Sequence, residues 1–428
     1  MRSFLLRGLL LAGLVLPGCG DDDATTSGTT TGEGGTTGVG GNAAGGGGAA
    51  AGGGGAGQTG GGGAGTGGAA TGGGGGSAGG GGSGGSSSFG GRLFVSMADA
   101  PVAVWDDAAT LAADGPPTFT LSDPALAGGA RGLALAGERL FVGGETDGAL
   151  LLAFDGASTF GAAAAPAASV AAGGFVPPSS GLPGVELLTW DAASDTLWTT
   201  SFMAGSELFA DASTLASASN AQALLSHPFQ QLPALAYDAG GDRAFAGQIS
   251  GAGVLVWNDA SAASGTPAVS FTLTTELAAW SMAVASDRLY AIGSVSSGGG
   301  NTLGIAVWDG VAATSAPTPP AFIVSSGMAG NDFSPYVGVH GDVLVACIQA
   351  GKVLLWTGAS ALSGDAPPTQ TIGGLSSPTK ALLGSKSGRL YVLESDGVSI
   401  FDDPTTAPTL AAKLTAGVAG PRDLAVLE

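Results

Sequence analysis

Charge is scarce in this sequence: 11% of its 428 residues are charged, with 13 Lys and Arg against 33 Asp and Glu and a net charge of −20. No basic cluster is available to displace counterions from a phosphate backbone, which excludes nucleic acid as a partner. The acidity is dilute and reads as a solvated surface in an extracytoplasmic setting. Histidine occurs twice, at His227 before Pro228 and His340 before Gly341, and neither has Cys or carboxylate neighbours at zinc-ligand spacing. There is no Gly-x-Ser-x-Gly elbow with Asp and His in order, no Gly-x-x-x-x-Gly-Lys phosphate loop and no calcium loop of alternating acids, so no cofactor is implied. Long apolar runs are absent beyond the N-terminus. The 44% hydrophobic content owes much to alanine, and a polytopic membrane protein is excluded. Cysteine is limited to Cys19 and Cys347.

What is abundant is glycine, and it is concentrated: 37 of the 81 glycines lie among residues 20 to 91. A segment half glycine, filled out with Thr, Ala and Ser, loses too much backbone entropy on ordering and has too little apolar area to bury. Residues 20–91 are therefore expected to be a disordered linker, with a root-mean-square reach of about 40 to 50 Å. Ahead of it, Arg2 and Arg7 flank the apolar run Leu9 to Leu16, which is too short to span a bilayer and has the layout of a secretory signal. The run ends in Leu16-Pro17-Gly18-Cys19, which resembles the bacterial lipobox, with Pro17 departing from the small or aliphatic residue usual there. The resemblance implies that residues 1–19 are a lipoprotein signal and that the Cys19 thiol carries diacylglycerol, so the chain is held at a bacterial membrane by a lipid anchor. With Cys19 acylated no intramolecular disulfide can form, and Cys347, in the apolar run Val343-Leu344-Val345-Ala346-Cys347-Ile348, is expected in the core.

Residues 92–428 are repetitive. A short apolar strand opened by Arg begins at Arg92, Arg139, Arg243, Arg288 and Arg389, with degenerate copies at Thr196 and Val343; successive starts are 47, 57, 47, 45, 55 and 46 residues apart. Each is followed by a second strand ending in an aromatic: Trp105, Phe154, Phe209, Trp257, Trp308, Trp356 and Phe401. A Gly-, Ser-, Asp- and Pro-rich turn, a third strand such as Phe271-Thr272-Leu273 and a fourth run such as Leu133-Ala134-Leu135 complete the unit. Four short strands at this period predict an all-β fold, a seven-bladed β-propeller. The two long spacings read as loop insertions, at 161–184 and at 294–301 with 328–334. The final run Pro421 to Leu427 copies the fourth run but lacks a following Arg strand, so it is expected to pair with Arg92-Leu93-Phe94-Val95 and close the ring. The repeated Trp, Phe and Arg are expected to be structural, because they recur in every unit.

The units Arg288-Leu289-Tyr290, Val307-Trp308-Asp309-Gly310 and a Pro-containing turn resemble the NHL-like and lactonase-like propeller repeats of bacterial extracytoplasmic proteins. The Trp-Asp pairs also resemble WD repeats, but the Gly-His dipeptide of those repeats is missing. In propeller enzymes the working residues precede the inner strands at the axial mouth. The corresponding positions here are Arg131, Glu186, Gln231, Trp280, Tyr336, Lys380, Arg422 and Asp423, a set able to bind a polar ligand. Gluconolactonase-type families hold a divalent metal there with Glu, Asn and Asp; no Asn stands among these positions, so that ligand set does not carry over and no metal site is assigned. The expectation is a monomeric binding or scaffold module of the cell envelope, recognising an envelope protein, a glycan or a small ligand. The alternative is a hydrolase or lyase working through Glu186 or Asp423 with Arg131 and Arg422.

Overall fold

Alternation of apolar and small polar residues in runs of three to ten, broken by Gly and Asp turns, makes strands that are buried on both faces. In the computed structural model the described residues are 90–98, 100–144, 150–171, 185, 187–201, 205–226, 234–248, 253–297, 300–328 and 335–428. The signal segment, Cys19 and residues 20–89 of the linker lie outside them, as do Glu186, Gln231 and His227.

Seven four-stranded antiparallel sheets form seven blades. Blade 1 runs outward from Pro421–Leu427 through Arg92–Met97 and Ala100–Asp106 to Phe119–Leu121, so the two ends of the folded region share one sheet, with Arg92 opposite Leu427 and Leu93 opposite Val426. The inner strands of blades 2 to 7 are Ala130–Ala136, Leu187–Asp191, Ala234–Asp238, Leu277–Ala285, Tyr336–His340 and Lys380–Leu383. Each inner strand contacts the next, and that of blade 7 contacts that of blade 1, so the ring is closed. Strand alternation divides each sheet between two interfaces, and the described residues hold seven apolar clusters, one between each pair of neighbours. Phe94 faces blade 2 while Leu93 and Val95 face blade 7; Cys347 is fully buried between blades 6 and 7.

The repeated residues serve this architecture. Arg92, Arg139, Arg288 and Arg389 pair with Asp106, Asp155, Asp309 and Asp402 on the adjacent strand at 2.6 to 2.8 Å. Their guanidinium groups also donate to carbonyls of the short helical turn in the next blade: Arg92 to Ala157 and Phe160, Arg139 to Ala212 and Leu215, Arg288 to Ala359 and Leu362, Arg389 to Leu111. Arg243 reaches Val311 in the same way. The repeated Trp indoles of Trp105, Trp257, Trp308 and Trp356 each donate to a carbonyl ten residues on, fixing the turn that leads to the outer strand.

Two insertions differ from expectation: within 161–184, residues 168–171 form the outer strand of blade 2. Residues 294–297 and 300–301 belong to a lengthened hairpin, Arg288–Ser297 with Gly300–Asp309, in which Ser297 pairs with Gly300. Its inner neighbour Leu277–Ala285 is lengthened with it, Leu277 pairing Val295, so blade 5 projects beyond the ring on the side where the inner strands begin. Gly293 permits the close approach, since a Cβ there would stand 1.9 Å from the Ala278 carbonyl oxygen.

Candidate functional site: the axial mouth

The inner strands all begin on one face of the ring, and three begin with a β-bulge. In blade 2 the register slips between Ala130 and Leu133, around Arg131; in blade 5 it slips between Ala279 and Ser281, leaving Trp280 as the extra residue; in blade 1 it slips between Pro421 and Asp423, leaving Arg422. A bulge frees one residue from the ladder and re-aims its side chain. Three of the residues expected at the mouth thus sit where the backbone departs from regular pairing.

Asp423 organises one side of the opening. It is 3% exposed; its Oδ2 accepts from the Leu133 amide of blade 2 at 2.8 Å, and its Oδ1 accepts from its own neighbour Leu424 N at 2.8 Å and from Lys380 Nζ of blade 7 at 2.5 Å. One carboxylate therefore ties three consecutive inner strands. Buried Ser96, whose Oγ donates to the Arg131 carbonyl at 2.5 Å and lies 3.4 Å from that of Asp423, tightens the same corner. Arg131 is itself 7% exposed. Arg131, Lys380 and Arg422 are thereby gathered on the arc formed by blades 7, 1 and 2, around a carboxylate that is already occupied.

The inner strands of blades 3 to 6 open with uncharged residues, Leu187, Ala234, Leu277 and Tyr336, with exposed Glu276 just ahead of Leu277. Tyr336 begins the inner strand of blade 6, and its hydroxyl folds back over Gly338, where a Cβ would come within 2.5 Å of it. Burial of the hydroxyl first, then Cys347 and the negative charge of Asp423, push its pKa up and keep the phenol neutral. Leu187 begins the inner strand of blade 3 and is 38% exposed, whereas its neighbour Leu188 is buried in the interface with blade 2. At the far ends of the inner strands the ring is stitched by His340, whose Nε2 lies 3.2 Å from the Ala381 carbonyl oxygen of blade 7. Burial first and Lys380 second lower the His340 pKa against that hydrogen bond, so the ring is held neutral.

Of the residues expected at the mouth, Arg131, Lys380, Arg422 and Asp423 are brought to one corner, Tyr336 stands beside that corner in blade 6, Trp280 lies across the ring in blade 5, and Glu186 and Gln231 fall outside the described residues. Sequence reasoning missed Leu187 and Ser96: the first sits beside a more conspicuous acid, and the second lies in a second strand where alternation marks only burial. Among the described residues no group of three His, Cys, Asp or Glu is arranged to hold a metal ion. A cavity of about 360 Å³ lies beside Pro101 and Pro124 at the link from blade 1 to blade 2, and one of about 350 Å³ beside Glu207 and Gln222 of blade 3; neither is lined by a Lys or Arg.

No protein-family model matches the chain, and no curated protein matches it in sequence. Solved structures do match its fold. A protein described as a putative 6-phosphogluconolactonase from Bacteroides fragilis has a TM-score of 0.57 at 14% identity, over 79% of this chain and 98% of that one. The Pseudomonas aeruginosa periplasmic gluconolactonase has a TM-score of 0.51 at 12% identity, over 79% and 99%. A Lactobacillus plantarum protein aligns over the same 79%, at a TM-score of 0.52 and 13% identity. These likenesses show a shared propeller fold.

Proposed function

We propose that this chain is an exported, lipid-anchored propeller whose axial mouth binds small organic anions at the cell envelope. The observation that carries the reading is how the few cations are spent. Residues 92–428 contain 11 Lys and Arg. Five of these, Arg92, Arg139, Arg243, Arg288 and Arg389, bind the next blade. Of the six that remain, Arg131, Lys380 and Arg422 stand on the adjoining inner strands of blades 2, 7 and 1, where Asp423 offsets one of the three charges, in a molecule of net charge −20. Concentrating scarce positive charge in a recessed opening focuses its potential on a small anion. The recess also favours a small ligand over a protein face, since Lys380 has 19% of its side chain exposed and Arg131 is almost covered.

Titration of the full chain with inorganic phosphate and with acetate tests this. Saturable binding that falls about tenfold in Arg131→Met and again in Arg422→Met is expected, from the usual strength of charge-assisted hydrogen bonds. Binding unchanged in both variants sinks the reading. For the anchor, Cys19→Ala should move the protein from the membrane fraction to the soluble one; unchanged sedimentation with membranes contradicts lipidation.

A second reading, lactone hydrolysis at the same mouth, draws on the names carried by the Bacteroides fragilis and Pseudomonas aeruginosa proteins. Asp423 is poorly suited as its base, because both of its oxygens already accept hydrogen bonds. The reading then rests on Glu186. Opening of gluconolactone or 6-phosphogluconolactone above the uncatalysed rate, lost in Glu186→Gln, would replace binding with catalysis as the function.

A further inference from the structure

Trp280 is the exception among the seven tryptophans. Trp105, Trp198, Trp257, Trp308 and Trp356 are buried in the interfaces between blades and Trp190 packs against one of them, whereas Trp280 joins none of the seven clusters and is only partly buried. Its indole makes no hydrogen bond to another described residue. It is the extra residue of the bulge in the lengthened inner strand of blade 5, at the foot of the wall that this blade raises beside the mouth. In ring order blade 5 lies opposite blade 1, whose Arg422 and Asp423 form the centre of the cationic arc. The inner strand of blade 3 begins, on that same face, with exposed Leu187, and that of blade 6 with Tyr336.

We infer that the mouth is two-sided and selects anions that carry a ring: the acid group faces Arg131, Lys380 and Arg422, and the ring lies against Trp280. This rests on the anion-binding reading and narrows it. An indole outside a core offers a flat π-surface to the C–H face of a sugar or to an aromatic ring, and such contacts strengthen binding without demanding a hydrogen bond. A small acyclic acid would fill the cationic arc and leave the indole wet. A neutral ring would reach the indole and gain nothing from the cationic arc. Only a molecule with both parts uses both sides, so the ligand class is a ring-bearing organic acid, and the ring is either saturated and hydroxylated or aromatic.

Calorimetric titration of the full chain with four probes separates these terms: glucuronate, benzoate, acetate as the acid alone, and methyl glucoside as the ring alone. At least one ring acid is expected to bind about tenfold more tightly than acetate, in line with aromatic contact energies. Whether glucuronate or benzoate gains identifies the ring. Trp280→Ala should erase the difference from acetate while leaving acetate binding as it was, and Trp280→Phe should restore part of it. Equal affinities for acetate and both ring acids in the wild type, or a preference that survives Trp280→Ala, overturns the inference and leaves anion binding standing. Failure of every anion, acetate included, removes both.

Discussion

Arg139 does two things at once, and separating them shows what the repeated residue is for. Its Nε pairs with Asp155 at 2.6 Å, and its Nη1 donates to the Ala212 and Leu215 carbonyls of the next blade at 3.1 Å each. The Asp155 side chain is 59% exposed, so the ion pair alone is screened by water. The carbonyl bonds are buried, and an unanswered buried carbonyl is costly. Arg139→Met should therefore cost about 2 kcal/mol, whereas Asp155→Asn should cost less than about 1 kcal/mol. Urea denaturation of the two variants checks this. Equal losses would mean that the ion pair, and not the reach to the next blade, is what the repeat preserves. The same reasoning explains why the mouth was only partly legible at this scale. Asp423 has the right position for a ligand-binding acid, but nothing in its neighbours announces that the Leu133 amide and Lys380 already occupy it.

At the scale of elements, the strands were readable because each carries its own markers: an Arg that opens one, an aromatic that ends the next and a turn between them. The bulges were not. A single extra residue leaves apolar alternation intact on either side of it, so in sequence Trp280 and Arg422 read as ordinary residues preceding inner strands, whereas the pairing puts both inside those strands as bulges. Gly and Ser dominate 294–301 and read as a loop, yet 294–297 pair with 300–303 as a hairpin. Contacts between inner strands are equally hidden in sequence, and His340 provides a test of one. Its pKa is lowered by burial and by Lys380, so the folded state binds the proton less readily than the unfolded chain does. Stability from this group is complete above the ordinary histidine value of about 6.5 and is lost as pH falls below it. Between pH 7 and 5, before most carboxylates titrate, the wild-type urea midpoint should fall. In His340→Gln, which keeps an amide donor for the Ala381 carbonyl, it should fall less. Any contribution from His227 is common to both proteins and cancels. Parallel pH profiles would show that His340 does not sense its burial.

For the whole molecule, the question is whether stability belongs to blades or to the ring. Every interface cluster is shared by two sheets, and the inner strands touch in an unbroken circle, so removing any one blade uncovers two apolar faces. The strand Pro421–Leu427 is the most exposed test of this, because it joins blade 1 only by hydrogen bonds and packing while Asp423 reaches blades 2 and 7. A chain ending at Gly420 should lose the ring and aggregate through the uncovered edge of Arg92–Met97. Arg92 and Leu427 face each other directly across the sheet, so a short turn can join them. A permutant that links Glu428 to Gly91 through two added glycines and opens the exposed turn between Ser315 and Ala316 keeps every strand pair and moves only the break. It should fold to the same circular dichroism spectrum and unfold in urea within about 1 kcal/mol of the tetherless parent, residues 90–428, the connecting loops contributing little beyond closure entropy. Should the permutant fail while the chain ending at Gly420 folds, the closing strand would be dispensable and the blades, not the circle, would be the units of stability.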